Sequence, residues 1–134
     1  VEVADVFMAS PPDWITLRGL AGYVFAPLAW TMGITDWNEA LMVGRLLGVR
    51  TVANEFVAYL DLGAMGGALS ERSRIIATYA LCGFANFGSI GIQIGGIAVL
   101  APERRADLSR LGLRAMIAGT FGANATACVA AMII

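Results

Sequence analysis

The chain has 134 residues, 58% of them apolar and 14% charged, with a mean hydropathy of +0.73. An average soluble domain is about 45–50% apolar and about 25% charged, so the departure in both directions indicates a membrane protein. The net charge is −1 and the nine basic residues are all Arg, with no Lys and no His. Without a basic stripe to neutralise phosphates, nucleic acid is excluded as a partner. Without imidazole, His-based metal sites and His-dependent triads are excluded as well. The two cysteines, Cys82 and Cys128, are too few for a disulfide scaffold or a zinc site. The length allows one domain or part of one. A start at Val1 rather than Met fits a piece of something longer.

Charge spacing predicts the elements in chain order. Residues 1–17 read as a connecting segment: they lack a basic start, and their apolar stretch is too short for a signal peptide. A first span is predicted over 18–36, where GLAGYVFAPLAWTMGIT carries no charge but contains Pro27. Trp14 and Trp37 would sit in the flanking interfaces. Residues 37–70 are apolar in bulk but interrupted by Glu39, Arg45, Arg50, Glu55 and Asp61. Helical spacing of Leu41, Met42, Leu46, Val49 and Val52 predicts helix. A lipid-facing span with Arg50 and Glu55 at its centre would cost about 2.5–3.5 kcal/mol per charge. A re-entrant hairpin of two half-length helices fits better, since broken backbone is tolerated where protein or a watery cavity surrounds it. The alternative is an amphipathic helix lying on the surface.

The second span, 72–101, is uncharged from Ile75 to Pro102 and rich in glycine: Gly83, Gly88, Gly91, Gly95 and Gly96. As one continuous helix it would extend about 40 Å against a core of about 30 Å. A break is predicted near Asn86 to Gly91. The last span, 106–134, repeats small residues every four positions, Ala115, Gly119, Ala123, Ala127 and Ala131, which predicts close helix packing. Thr120 and Asn124 would be interhelical hydrogen-bonders. The fold class is therefore all-α membrane protein, with about three transmembrane helices and a re-entrant hairpin. The connection PERRADLSRLGLR, with Arg104, Arg105, Arg110 and Arg114, is placed in the cytoplasm by positive-inside bias, which puts the C-terminus outside.

Few residues can carry chemistry. Glu55 is a candidate because an unpaired carboxylate at membrane depth is strongly disfavoured, which makes an acid there a functional hypothesis; the structural alternative is a salt bridge to Arg50 or another buried Arg. Asn86 and Ser89 share a face if their turn is helical, with interhelical bonding as the alternative, and Gln93 is a further candidate. No nucleophile–base arrangement exists without His or Lys, and Glu55 has no second carboxylate at a diagnostic spacing, so an enzyme is not expected. A hairpin with an acid near its tip, followed by a glycine-broken helix with polar groups, is how secondary transporters build a midplane site.

The strings TVANEFVAYLDL and LSERSRIIATYALCGFANFGSIGIQIGGIAVLAPERRADLSRLGLRAMIAGT closely resemble the C-terminal part of the concentrative nucleoside transporter family. YVFAPLAWTMGI and EALMVGRLLGVRT resemble the helix and hairpin arm that precede them. The resemblance implies a multi-pass plasma-membrane protein (inner membrane in a bacterium), trimeric when complete, that imports nucleosides by symport with sodium or protons. It implies no cofactor, with the coupling-ion site mainly in a preceding N-terminal part. It further implies that Glu55, Asn86 and Ser89 bind the ribose and that Phe84 lines the same site. The chain departs from the family pattern at Gly88, where many relatives have Ser. The other readings are a carrier of the same fold for another polar solute and a small structural membrane protein.

Overall fold

The computed structural model describes residues 17–134, and the predicted connecting segment, with Trp14, lies outside them apart from Leu17. The described residues form six α-helices: α1 Leu17–Thr31, α2 Trp37–Val52, α3 Glu55–Ala64, α4 Glu71–Leu81, α5 Phe87–Leu100 and α6 Arg105–Ile133. Short 3-10 turns at Gly66–Ala68 and Pro102–Arg104 precede α4 and α6. Among the described residues there is no strand, in keeping with the all-α expectation.

Side-chain caps decide where four of these helices begin. Asp36 accepts from Glu39 N at 2.9 Å, Asn54 from Val57 N at 2.9 Å, Ser70 from Ser73 N at 3.3 Å and Asn86 from Ser89 N at 2.7 Å. Each satisfies an orphan N–H of a first turn, typically for about 1 kcal/mol. The cap at Asn86 corrects the predicted break. The helix is interrupted at Cys82–Asn86, and Gly88 and Gly91 lie inside α5, because Asn86 starts a new helix rather than ending an old one.

The chain turns within the first predicted span. α1 ends at Thr31, and Gly33, with φ +98°, turns the chain towards α2. Among the described residues, the stretch Pro102–Ile133 alone is a continuous helix long and apolar enough to cross a membrane, while Phe87–Leu100 is apolar but shorter. The Arg-rich connection is mostly helical, since α6 begins at Arg105.

α1 and α2 meet along a seam of small residues. A Cβ on Gly44 would lie 2.5 Å from the Gly22 carbonyl oxygen, and one on Gly48 would lie 2.3 Å from Ala21 Cβ. The backbones therefore approach as in small-xxx-small membrane pairs, with Ala26, Ala29 and Ala40 fully buried beside them.

α2 and α3 form the predicted hairpin, joined at its tip by Ala53 and Asn54 alone. Glu39 closes the base, its carboxylate accepting from Ser70 N at 2.7 Å and Ser70 Oγ at 2.9 Å. The core runs through Val43, Leu46 and Leu47 of α2, Ala58 and Leu62 of α3, and Ile76, Ala77 and Ala80 of α4.

α6 packs on α4 and α5. The lower part of its small-residue stripe is buried at Ala123, Ala127 and Ala131, while Ala115 is exposed. Arg72, in the first turn of α4, donates to the carbonyls of Ala131, at 2.7 Å, and Ile134 at the far end of α6. Two expected interhelical bonds do not form. Thr120 Oγ1 donates back to Met116 O of its own helix at 3.0 Å, as hydroxyls in helices often do. Asn124 is buried with neither amide atom hydrogen-bonded among the described residues.

Candidate functional site at the hairpin tip and the helix break

The hairpin turns at Ala53–Asn54 because Asn54 caps α3, and this places Glu55 as the first residue of the second arm. Asn86 caps α5 in the same way, on the far side of the interruption in the next helix. The fold brings the two together: Asn86 Nδ2 donates to Glu55 Oε2 at 3.0 Å. Residues 31 apart in sequence thus form one polar junction.

Ser89 completes it through a capping box. Its N–H donates to Asn86 Oδ1 at 2.7 Å, its hydroxyl donates to Asn86 O at 2.6 Å, and Asn86 N donates to its hydroxyl oxygen at 3.3 Å. Asn86 and Ser89 are 2% and 3% exposed, and three hydrogen bonds join them. Glu55 is only partly buried. Its carboxylate has about four lone-pair positions, and the Asn86 amide occupies one. The amide also keeps a second N–H, since Asn NH2 carries two donors.

The other predicted residues separate into near and apart. Phe84 is 50% exposed in the interrupted segment. It lines, with Ser89 and Gln93, a cavity of about 380 Å³ between α5 and α6. Gln93 thus stands one helical turn beyond Ser89 on the same wall. At Gly88 a Cβ would lie 3.2 Å from Asn86 Oδ1, so a side chain at that position would press on the cap. Among the described residues no ion pair joins Glu55 to Arg50. Arg50 is 0% exposed and donates through Nη1 to Ala80 O at 2.5 Å.

Two residues of this junction escaped the sequence reading as parts of a site. A helix end leaves its last four carbonyls without intrahelical partners, and α4 ends inside the protein. All four are satisfied. Cys82 N donates to Tyr79 O at 3.1 Å and Gly83 N to Leu81 O at 2.8 Å. The hairpin supplies the others: Tyr59 Oη to Thr78 O at 2.8 Å and Arg50 to Ala80 O. The signal was available as an Arg and a Tyr flanking Glu55 in an apolar segment, where buried polar groups require partners.

Secondary transporters build their sites from discontinuous helices, and the hairpin tip and the interrupted helix meet here in that manner. The sequence places the chain within that class. Residues 3–131 match the family described as Na+ dependent nucleoside transporter C-terminus, and the chain belongs to that family, one of transporters rather than enzymes.

It is 47% identical over 120 residues to an uncharacterized transporter, YutK, of Bacillus subtilis, covering 90% of this chain and 30% of that protein. It is 43% identical over 122 residues to the putative nucleoside permease NupX of Escherichia coli, covering 89% and 29%. Human solute carrier family 28 member 3 is 44% identical over 151 residues, covering 95% and 22%. Among solved structures, CNTnw in an inward-facing substrate-bound state superposes with a TM-score of 0.83 at 41% identity, covering 87% of this chain and 29% of that one. A variant of the same transporter in an outward-facing state gives 0.82 at 41% identity, covering 87% and 29%. The chain therefore spans under a third of the length of these relatives.

Proposed function

We propose that this chain is the C-terminal part of a sodium-coupled nucleoside importer, and that Glu55, Asn86 and Ser89 hold the ribose of its substrate. The observation that carries this is the 3.0 Å hydrogen bond between Asn86 Nδ2 and Glu55 Oε2, which joins hairpin and broken helix at one polar point. Ribose presents hydroxyl groups that are donors and acceptors at once. The free acceptor positions of Glu55 match hydroxyl donors, and the second amide N–H of Asn86 matches a hydroxyl oxygen. Ser89 shapes the site by fixing Asn86, and Phe84 offers an apolar wall beside it.

Sodium coupling is supported by the description of the family and by a relative, sodium/nucleoside cotransporter 1 of Mus musculus, 40% identical over 141 residues. The ion's own site and the trimer interface belong, in this reading, to the preceding N-terminal part. The Arg104–Arg114 segment is cytoplasmic and Ile134 external, following the Arg bias.

The test is uptake of a labelled ribonucleoside into proteoliposomes holding the full-length transporter, under an inward sodium gradient. Accumulation that collapses without the gradient, and that Glu55→Gln weakens, is the expected result. Gradient-independent equilibration, or uptake of an unrelated polar solute in place of nucleosides, would overturn the reading.

A further inference from the structure

Arg50 is an expensive residue to place where it is. Its side chain is 0% exposed. Among the described residues Nε and Nη2 have no hydrogen-bond partner, so only Nη1 is committed, to Ala80 O. Buried charges with incomplete partners lower stability relative to apolar packing, and the C-terminus of a half-helix can be capped by neutral groups. The other arm of the hairpin shows this, since the Tyr59 hydroxyl caps Thr78 O. A buried cation at this point is therefore poorly explained as a device for stability alone.

Its position suggests another use. Arg50 lies in the last turn of α2, five residues before Glu55, and Tyr59 lies one turn after Glu55 on α3. The two side chains bracket the hairpin tip and grip the final turn of α4 at Thr78 and Ala80, immediately before the break. Past the break stands Asn86. The distance between Glu55 and Asn86 is thus set by a closed loop: hairpin tip, latch, end of α4, the interrupted segment Cys82–Ala85, and the start of α5. The carbonyl end of α4 also carries partial negative charge, which favours a cation against it.

We propose that Arg50 and Tyr59 are positioning residues of the ribose site, one from each arm of the hairpin, which hold the Glu55 carboxylate in register with the Asn86 amide by gripping the last-turn carbonyls of α4. Neither touches the substrate. The inference rests on the ribose reading of Glu55 and Asn86 given above.

The test is a double-mutant cycle on ribonucleoside binding by the full-length transporter. Arg50→Met should weaken binding about tenfold or more, as expected when a charged hydrogen bond is lost. Tyr59→Phe, which removes only a hydroxyl, should weaken it about three- to fivefold. Arg50→Lys should restore binding to within about threefold of wild type, because a single carbonyl contact asks for a cationic donor and not for the planar fork of Arg. Combining Arg50→Met with Glu55→Gln should cost no more than about twofold beyond the weaker single variant, the signature of residues acting through one another.

A purely structural Arg50 would lower yield and thermal stability but leave folded protein binding normally, with penalties that multiply with that of Glu55→Gln. If Arg50→Met does not fold, Tyr59→Phe and Arg50→Lys, each alone and combined with Glu55→Gln, carry the same cycle. Wild-type binding by Tyr59→Phe would then overturn the proposal. Should Glu55→Gln alone bind as wild type, the ribose reading fails first. Should Glu55→Gln bind weakly while the Arg50 and Tyr59 variants bind normally or multiply with it, the positioning role fails alone.

Discussion

The α1–α2 seam and the junction at the hairpin tip both bring backbone segments into close contact, yet by opposite means. At the seam nothing polar is needed, because two intact helices satisfy their own backbones. Glycine and alanine remove the side chains that would keep them apart. At the junction two helix ends and two helix starts meet inside the protein, and hydrogen bonds from side chains join them. The seam tolerates no added volume, whereas the junction tolerates no lost partner. This divides the molecule into a part held by close packing and a part held by polar partners.

The largest effect should come from filling the seam. Gly44→Leu puts side-chain atoms where a Cβ alone would stand 2.5 Å from the Gly22 carbonyl oxygen. Overpacking of this kind costs about 3 kcal/mol or more, and loss of folded protein in detergent is the expected observation. A well-folded Gly44→Leu transporter would show that the seam is not tightly set. Glu55→Gln comes next: it keeps shape and removes charge, and should weaken ribonucleoside binding by about 1.5–3 kcal/mol with little change in melting temperature. Comparable loss of stability would move Glu55 to the structural side of the comparison.

Asn86→Ala mixes both kinds of loss. It deletes the cap of α5, worth about 1 kcal/mol of stability, and the bond to Glu55, so melting temperature and affinity should fall together. Ser89→Ala should follow the same pattern more weakly, because one backbone donor and one backbone acceptor lose a partner. The smallest effect belongs to Asn124→Ala on α6. Its amide is buried without a partner among the described residues, so removal should change stability by less than about 1 kcal/mol and leave affinity alone. A change in affinity would place Asn124 in the site.

Much of this arrangement was legible in the sequence. Arg50 and Glu55 inside an apolar segment excluded a lipid-facing span and predicted the hairpin, and excess length with many glycines predicted a broken helix. The break lies before the glycines, because glycine alone does not stop a helix here. The decisive signal was the capping pattern, Asn86 with Ser89 three residues on, which starts α5 and leaves the glycines helical. Side-chain caps at Asp36, Asn54 and Ser70, without the reciprocal bond, mark three further helix starts. The Gly44–Gly48 spacing on α2 is the sequence trace of the seam. Glu55, Asn86 and Ser89 could be singled out individually. That Asn86 donates to Glu55 depends on how hairpin and broken helix pack, which no local pattern encodes. The partners of Arg50 and Tyr59 were hidden for the same reason, since backbone carbonyls leave no mark in a sequence.

The central claim is that the Glu55–Asn86 junction reads the hydroxyls of a ribose. The most direct measurement is the ratio of affinities for a ribonucleoside and its deoxy counterparts, in the full-length wild type and in Glu55→Gln. A site with buried polar groups penalises a ligand that lacks a hydroxyl partner, so the wild type should prefer the ribonucleoside. In Glu55→Gln that preference should shrink, because the acceptor that rewarded the hydroxyl is weakened and the deoxy ligand has less to lose. An undiminished preference, with both ligands bound as tightly as by the wild type, would contradict the account and leave Glu55 and Asn86 as a structural pair.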